Sequence, residues 1–94
     1  VQENFINARF NLSDCYPNPA RETTTIPFRL NNTNLVILNL KDINGRTVKT
    51  IVNEEYEAGD HQIEVTVSDL EPGTYLYQLK SGFFEETKKL IVIR

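Results

Sequence analysis

His61, Cys15 and the acidic residues Glu54, Glu55, Glu57 and Asp60 are the side chains of this 94-residue chain best suited to chemistry. A general base needs a partner within hydrogen-bond reach. His61 is the only histidine and sits beside Gly59-Asp60, so a surface role is the simpler reading. Cys15, the only cysteine, excludes an internal disulfide and a cysteine-only metal site. No basic neighbour activates it, and it reads as a buried or half-buried structural thiol. The acidic residues lack the alternating ligands and terminal Glu of a calcium loop. Glu54 to Asp60 is therefore expected to be a solvated loop turned at Ala58-Gly59. Ser13, Thr23, Thr24 and Thr25 have no base beside them in sequence, and no glycine-rich phosphate loop is present. No catalytic residue, cofactor or metal site is expected, and the chain reads as a non-catalytic module.

Composition narrows the partners. Ten Lys/Arg against thirteen Asp/Glu give a net charge of −3, which argues against nucleic acid, whose binders carry a basic patch. No apolar run approaches the ~18–20 residues a membrane-spanning helix needs. Val1 to Arg9 shows no signal-peptide pattern and is expected to be a linker at an upstream boundary; an export signal would then lie upstream on a longer precursor. One domain over residues 10–94 suits this length.

The elements that would position these residues are strands. Phe10 and Leu12 begin a short one, stopped by Tyr16-Pro17-Asn18-Pro19-Ala20, whose two prolines make a rigid turn. Ile26, Phe28 and Leu30 alternate with polar positions; Pro27 cannot donate to a ladder, which places this strand at an edge or turns position 27 away from its neighbour. Val36, Leu38 and Leu40 form the next inward face. Asn44-Gly45 predicts a type I′ hairpin into Arg46 to Val52, with Val48 and Val52 on one side and Ile51 on the other. Ile63, Val65 and Val67 alternate next. Leu70-Glu71-Pro72-Gly73 fits a type II turn with positive φ at glycine. Tyr75, Tyr77 and Leu79 share a face, and Ser81-Gly82 turns the chain into Phe83 to Ile93. About seven strands without a helix predict an all-β antiparallel sandwich, with a barrel as the lesser alternative.

The last strand is unusual. An ordinary half-exposed strand is polar on one face, yet Leu90-Ile91-Val92-Ile93 is apolar on both. Either the strand is covered, or a partner docks there by strand addition or onto its apolar side. Lys88 and Lys89, taken as outward-facing, precede the run. An unblunted apolar edge of this kind would also allow a homodimer through the C-terminal strand.

Four motifs, in order, carry a resemblance: Tyr16-Pro17-Asn18-Pro19-Ala20; the stretch from Val36 to Val48 with Asp42, Gly45 and Arg46; Leu70-Glu71-Pro72-Gly73-Thr74-Tyr75; and Thr87-Lys88-Lys89-Leu90-Ile91-Val92. Together they resemble the type A C-terminal sorting domain of the Bacteroidetes type IX secretion system, from about Phe10 onward. The resemblance implies an Ig-like domain at the end of an exported precursor, joined in cis to an N-terminal cargo domain. It implies transit through the periplasm, passage through an outer-membrane translocon, removal by a surface sortase-like peptidase, and a cargo at the cell surface or secreted. Carried over by position, the sorting elements are Gly73, Tyr75, Lys88, Lys89, Leu90, Ile91 and Val92, with Tyr16, Pro17, Asn18 and Pro19 as the opening motif. The alternatives are a relative of the Ig-like domain of flagellar hook-capping proteins, and a carbohydrate-binding or spacer domain. The first typically has Trp-Asp-Gly after the A-G-x-H turn, where this chain has Ile63-Glu64-Val65. The second wants exposed aromatics on one face.

Overall fold

The computed structural model describes residues 10–94, so the linker expected over residues 1–9 lies outside the described residues. Seven strands follow in order: β1 (Phe10–Leu12), β2 (Thr23–Leu30), β3 (Asn34–Asp42), β4 (Thr47–Tyr56), β5 (Gly59–Thr66), β6 (Gly73–Ser81) and β7 (Phe84–Val92). They form a three-stranded sheet, β1-β2-β5, and a four-stranded sheet, β4-β3-β6-β7. Every strand pair is antiparallel. This is an Ig-like sandwich in which the fourth strand joins β3 rather than β5.

Period-2 alternation builds the core. Ile26, Phe28 and Leu30 from β2 face Val36, Leu38 and Leu40 from β3, with Val65, Tyr77, Leu79, Leu90 and Val92 completing the layer. Outward positions between them are polar or half-exposed, which fixes the register of each strand against a one-residue slip.

Pro27 takes the second of its two expected placements: its strand is central in the sheet, and position 27 is turned away from a neighbour. Its carbonyl accepts from the Ser13 N–H at 3.0 Å, so its nitrogen faces the same way, toward the end of β1 and away from β5. The Ser13 carbonyl that an N–H at position 27 would have served accepts instead from the Tyr77 hydroxyl, 2.9 Å away. Other local expectations need correction. The β3–β4 turn is not type I′, because among the described residues positive φ occurs only at glycines, Gly45 at 90° among them. Gly45 N–H donates to the Asp42 carbonyl and Asp42 N–H to the Arg46 carbonyl, the pattern of a type I turn followed by a glycine bulge. The Asp42 carboxylate selects it by accepting from the N–H groups of Asn44 and Arg46, each at 2.9 Å.

β4 runs on to Tyr56, so Glu54 and Glu55 are strand residues and only residues 57–58 connect to β5. Its pairing with β3 slips between Leu38 and Asn39, leaving Ile51 unpaired. That bulge lets Ile51 and Val52 both pack on the core, while Val48 is exposed. Finally, Gly73 has φ of 154°, far from the roughly +80° of a type II turn; it already belongs to β6.

Candidate functional site

The opening motif stitches the two sheets together. Tyr16 exchanges both backbone hydrogen bonds with Thr25 of β2, at 2.9 and 2.8 Å. The Thr24 hydroxyl, itself buried, donates to the Pro17 carbonyl at 2.9 Å. The Tyr16-Pro17 and Asn18-Pro19 peptides are both cis. Across the sandwich, Asn18 then turns its amide onto the outer edge of β7. Its Nδ2 donates to the Lys89 carbonyl at 3.0 Å and its Oδ1 accepts from the Ile91 N–H at 2.9 Å. A carboxamide carries one donor group and one acceptor, so it can replace a strand residue in a ladder. Ala20 continues the ladder with its own backbone: its N–H donates to the Ile91 carbonyl at 2.8 Å, and its carbonyl accepts from Ile93 N–H at 2.9 Å.

The edge of β7 expected to be open is therefore occupied from Lys89 to Ile93 by the segment Asn18–Ala20. On the other side, Gly73 pairs with Val92 and Tyr75 with Leu90 in the β6–β7 ladder. Three motifs remote in sequence thus form three adjacent strips at one end of the four-stranded sheet. Covering on both edges satisfies the backbone of the apolar run, while its side chains alternate between the core and the outer face. Leu90 and Val92 are fully buried, whereas Ile91 keeps 36% exposure on the outer face.

The individual predicted residues divide by exposure. Pro17, Asn18, Pro19 and Lys89 are exposed; Tyr16 is exposed too, and its hydroxyl donates to Gln62 Oε1 at 3.2 Å. Tyr75 is half-buried, with its hydroxyl donating to the Glu71 carbonyl at 2.6 Å. Lys88 does not point outward: it shares the inward parity of Leu90, is half-buried, and pairs with Asp14 at 3.3 Å and Glu86 at 3.9 Å.

Two functional-looking residues escaped the sequence reading. Tyr77, which the sequence places only on one face with Tyr75 and Leu79, is wholly buried; its hydroxyl donates to the Ser13 carbonyl and accepts from Cys15 N–H at 2.8 Å. Burial pushes this phenol well above its ordinary pKa. Arg94 lays its guanidinium on the carbonyls of Arg21, Ser68, Leu70 and Ile93. Only the Tyr77 position, at the centre of an apolar face, carried any sequence signal of a buried hydroxyl that must find partners.

A shallow cleft of about 400 Å³ opens at this end, lined by Pro17, Pro19, Arg21, Glu22, Thr23 and Ile93. A second, of about 360 Å³, lies on the three-stranded sheet around Pro27, Arg29, Asp60 and Gln62; its guanidinium and carboxylate are paired with each other at 2.8 Å.

The remaining candidates have structural partners. His61 is half-buried, stacked on Phe28 with ring centroids 5.4 Å apart and edge-on to Tyr56 at 5.0 Å; its Nε2 donates to the Glu57 carbonyl at 2.6 Å. It caps the crossing from β4 to β5. Cys15 is buried. Glu54 and Glu55 are successive strand residues and so point to opposite faces. Among the described residues no three His, Cys, Asp or Glu side chains converge as a metal site would require.

Comparison with known proteins agrees with this arrangement. A family model described as a secretion system C-terminal sorting domain matches residues 14–93. The comparison with curated proteins gave no match. Among solved structures, the crystal structure of dimeric latent PorU from Porphyromonas gingivalis is similar over 89% of this chain and 9% of that one, at 22% identity and a TM-score of 0.71. That likeness is one of fold, and this chain spans a small part of the PorU chain's length.

Proposed function

Because the chain belongs to the secretion system C-terminal sorting domain family, we propose that it is the non-catalytic address of an exported protein. In this reading it directs a cargo joined to its N-terminal side across the outer membrane by the type IX machinery. The cargo passes through the periplasm and ends at the cell surface or outside, and a surface peptidase then removes the domain.

The observation that carries the reading is the span of the family match. Residues 14–93 take in the opening motif and every strand from β2 to β7, so the signal is coextensive with the sandwich rather than a short tag. Three of the four motifs named from the sequence support it by meeting at one end of the four-stranded sheet. Within that end, Gly73, Tyr75, Leu90 and Val92 act as framework, whereas Lys89, Ile91 and the opening motif offer surface to a partner.

A reporter carrying a signal peptide, with this chain fused at its C-terminus, tests the function in a type IX-competent host. The fusion should reach the surface, and the reporter without the chain should stay in the periplasm. Equal display of the two would sink the reading. Deleting Lys88 to Arg94 is a poor variant, because it removes the buried Leu90 and Val92 and unfolds the sandwich.

A further inference from the structure

The two recognition modes left open by the sequence, strand addition and side-chain docking, are separated by the ladder at β7. Strand addition needs free backbone N–H and C=O groups, and from the Lys89 carbonyl to the Ile93 N–H the outward-facing ones are engaged by Asn18 and Ala20. A partner at this end must therefore meet side chains. The cleft walled by Pro17, Pro19 and Ile93 supplies an apolar floor. Its charge is out of keeping with the chain as a whole. In a protein of net charge −3, Arg21 and Arg94 stand at the rim with Glu22 as the carboxylate on the same wall. Arg29, Arg46, Lys49 and Lys88 all pair with carboxylates. Among the described residues Arg21, Arg94 and the nearby Lys89 have no carboxylate partner, nor do Lys41 on β3 and Lys80 on β6; Arg21 and Arg94 are the two of these five that line the corner. The Arg94 guanidinium is also held in place by four backbone carbonyls, which removes much of the entropy cost of using it in an interface.

We infer that this corner is a docking site for an acidic protein segment, with an apolar side chain seated between Pro17, Pro19 and Ile93 and carboxylates set against Arg21 and Arg94. The inference rests on the sorting reading above and names the chemistry of the surface that reads the address.

The test uses the same reporter fusion with a charge series at Arg21, which is exposed and contributes only its backbone carbonyl to the fold. Display should be retained by Arg21→Lys, reduced by Arg21→Gln, and cut by about tenfold or more in Arg21→Glu, since rim charges set encounter and register with a charged partner. Lys41→Glu makes the same charge change on the outer face of the large sheet and should stay within about twofold of the parent. The melting midpoint of the purified Arg21→Glu chain should match the parent. Arg21→Glu displayed as well as the parent, with the reporter lacking the chain still retained, overturns the docking site and leaves the sorting function standing. An equal fall in Arg21→Glu and Lys41→Glu also overturns it, as does sedimentation of the parent chain with phosphatidylglycerol vesicles that Arg21→Glu abolishes, which assigns the corner to a lipid surface.

Discussion

Replacing Asn18 by alanine tests the clasp on β7 most directly. The substitution removes two hydrogen bonds, from Asn18 Nδ2 to the Lys89 carbonyl and from the Ile91 N–H to Asn18 Oδ1. Each is worth about 0.5–1.5 kcal/mol net. Asn18 is exposed, so water can replace part of what is lost, and the expected cost is the lower half of the sum, about 1–2 kcal/mol. For a domain of this size that lowers the melting midpoint by about 5–15 °C. Urea unfolding should show a lower midpoint with an unchanged slope, because the surface exposed on unfolding is the same. Amide exchange gives the local readout. The Ile91 N–H should lose protection, whereas the Leu90 N–H, which faces Tyr75 across the β6–β7 ladder, should keep it. A stability loss below about 0.5 kcal/mol, together with unchanged exchange at Ile91, would refute the idea that the opening motif holds the terminal strand.

Tyr77→Phe should cost about 2–4 kcal/mol in the same assay, since it orphans the Ser13 carbonyl and the Cys15 N–H inside the fold. Because burial raises the Tyr77 phenol above its ordinary value, the parent's stability should be fully present below about pH 10 and fall by up to about 1.4 kcal/mol per unit above it. Tyr77→Phe should lack that component of the fall. The Asp42 carboxyl, held below its ordinary range chiefly by the Arg46 backbone N–H, should titrate at low pH by NMR. Its contribution is present above the ordinary carboxylate pKa and lost as pH falls through the lowered one; Asp42→Ala should remove that acid-dependent part of the urea midpoint. Gly73→Ala meets open space but a φ of 154°. It should cost about 1–3 kcal/mol as backbone strain, and a neutral result would show that β6 can start with another conformation.

Several misreadings share one origin, a side chain that answers to a residue far away in sequence. Pro27 leaves the place of its strand open, because its missing N–H is a local fact; Tyr77 fills the gap from the other sheet and so lets the strand be central. Lys88 reads as outward beside Lys89, but strand parity puts it on the inward face, where Asp14 and Glu86 receive it. The acidic stretch after Asn53 reads as loop from its charge, while its backbone pairs with β3 through Tyr56. Asn44-Gly45 favours type I′ in isolation, and the carboxylate of Asp42 tips it to another turn.

What the chain's own order of residues determined was local: which side chains face inward and where strands stop. Alternation at Ile26, Phe28, Leu30 and at Val36, Leu38, Leu40 assigns faces, because the pleat has a period of two whatever the neighbours are. Glycines mark the turns, since positive φ is open to them alone at little steric cost. The motif set, taken together, also pointed to the family that the match over residues 14–93 bears out. Only the tertiary structure decided how the strands divide between two sheets, and that β7 has an occupied rather than a bare edge. That occupancy depends on an amide 71 and 73 residues away from its two partners. No local pattern encodes such a contact: it forms only once the sandwich has brought its first loop against its last strand.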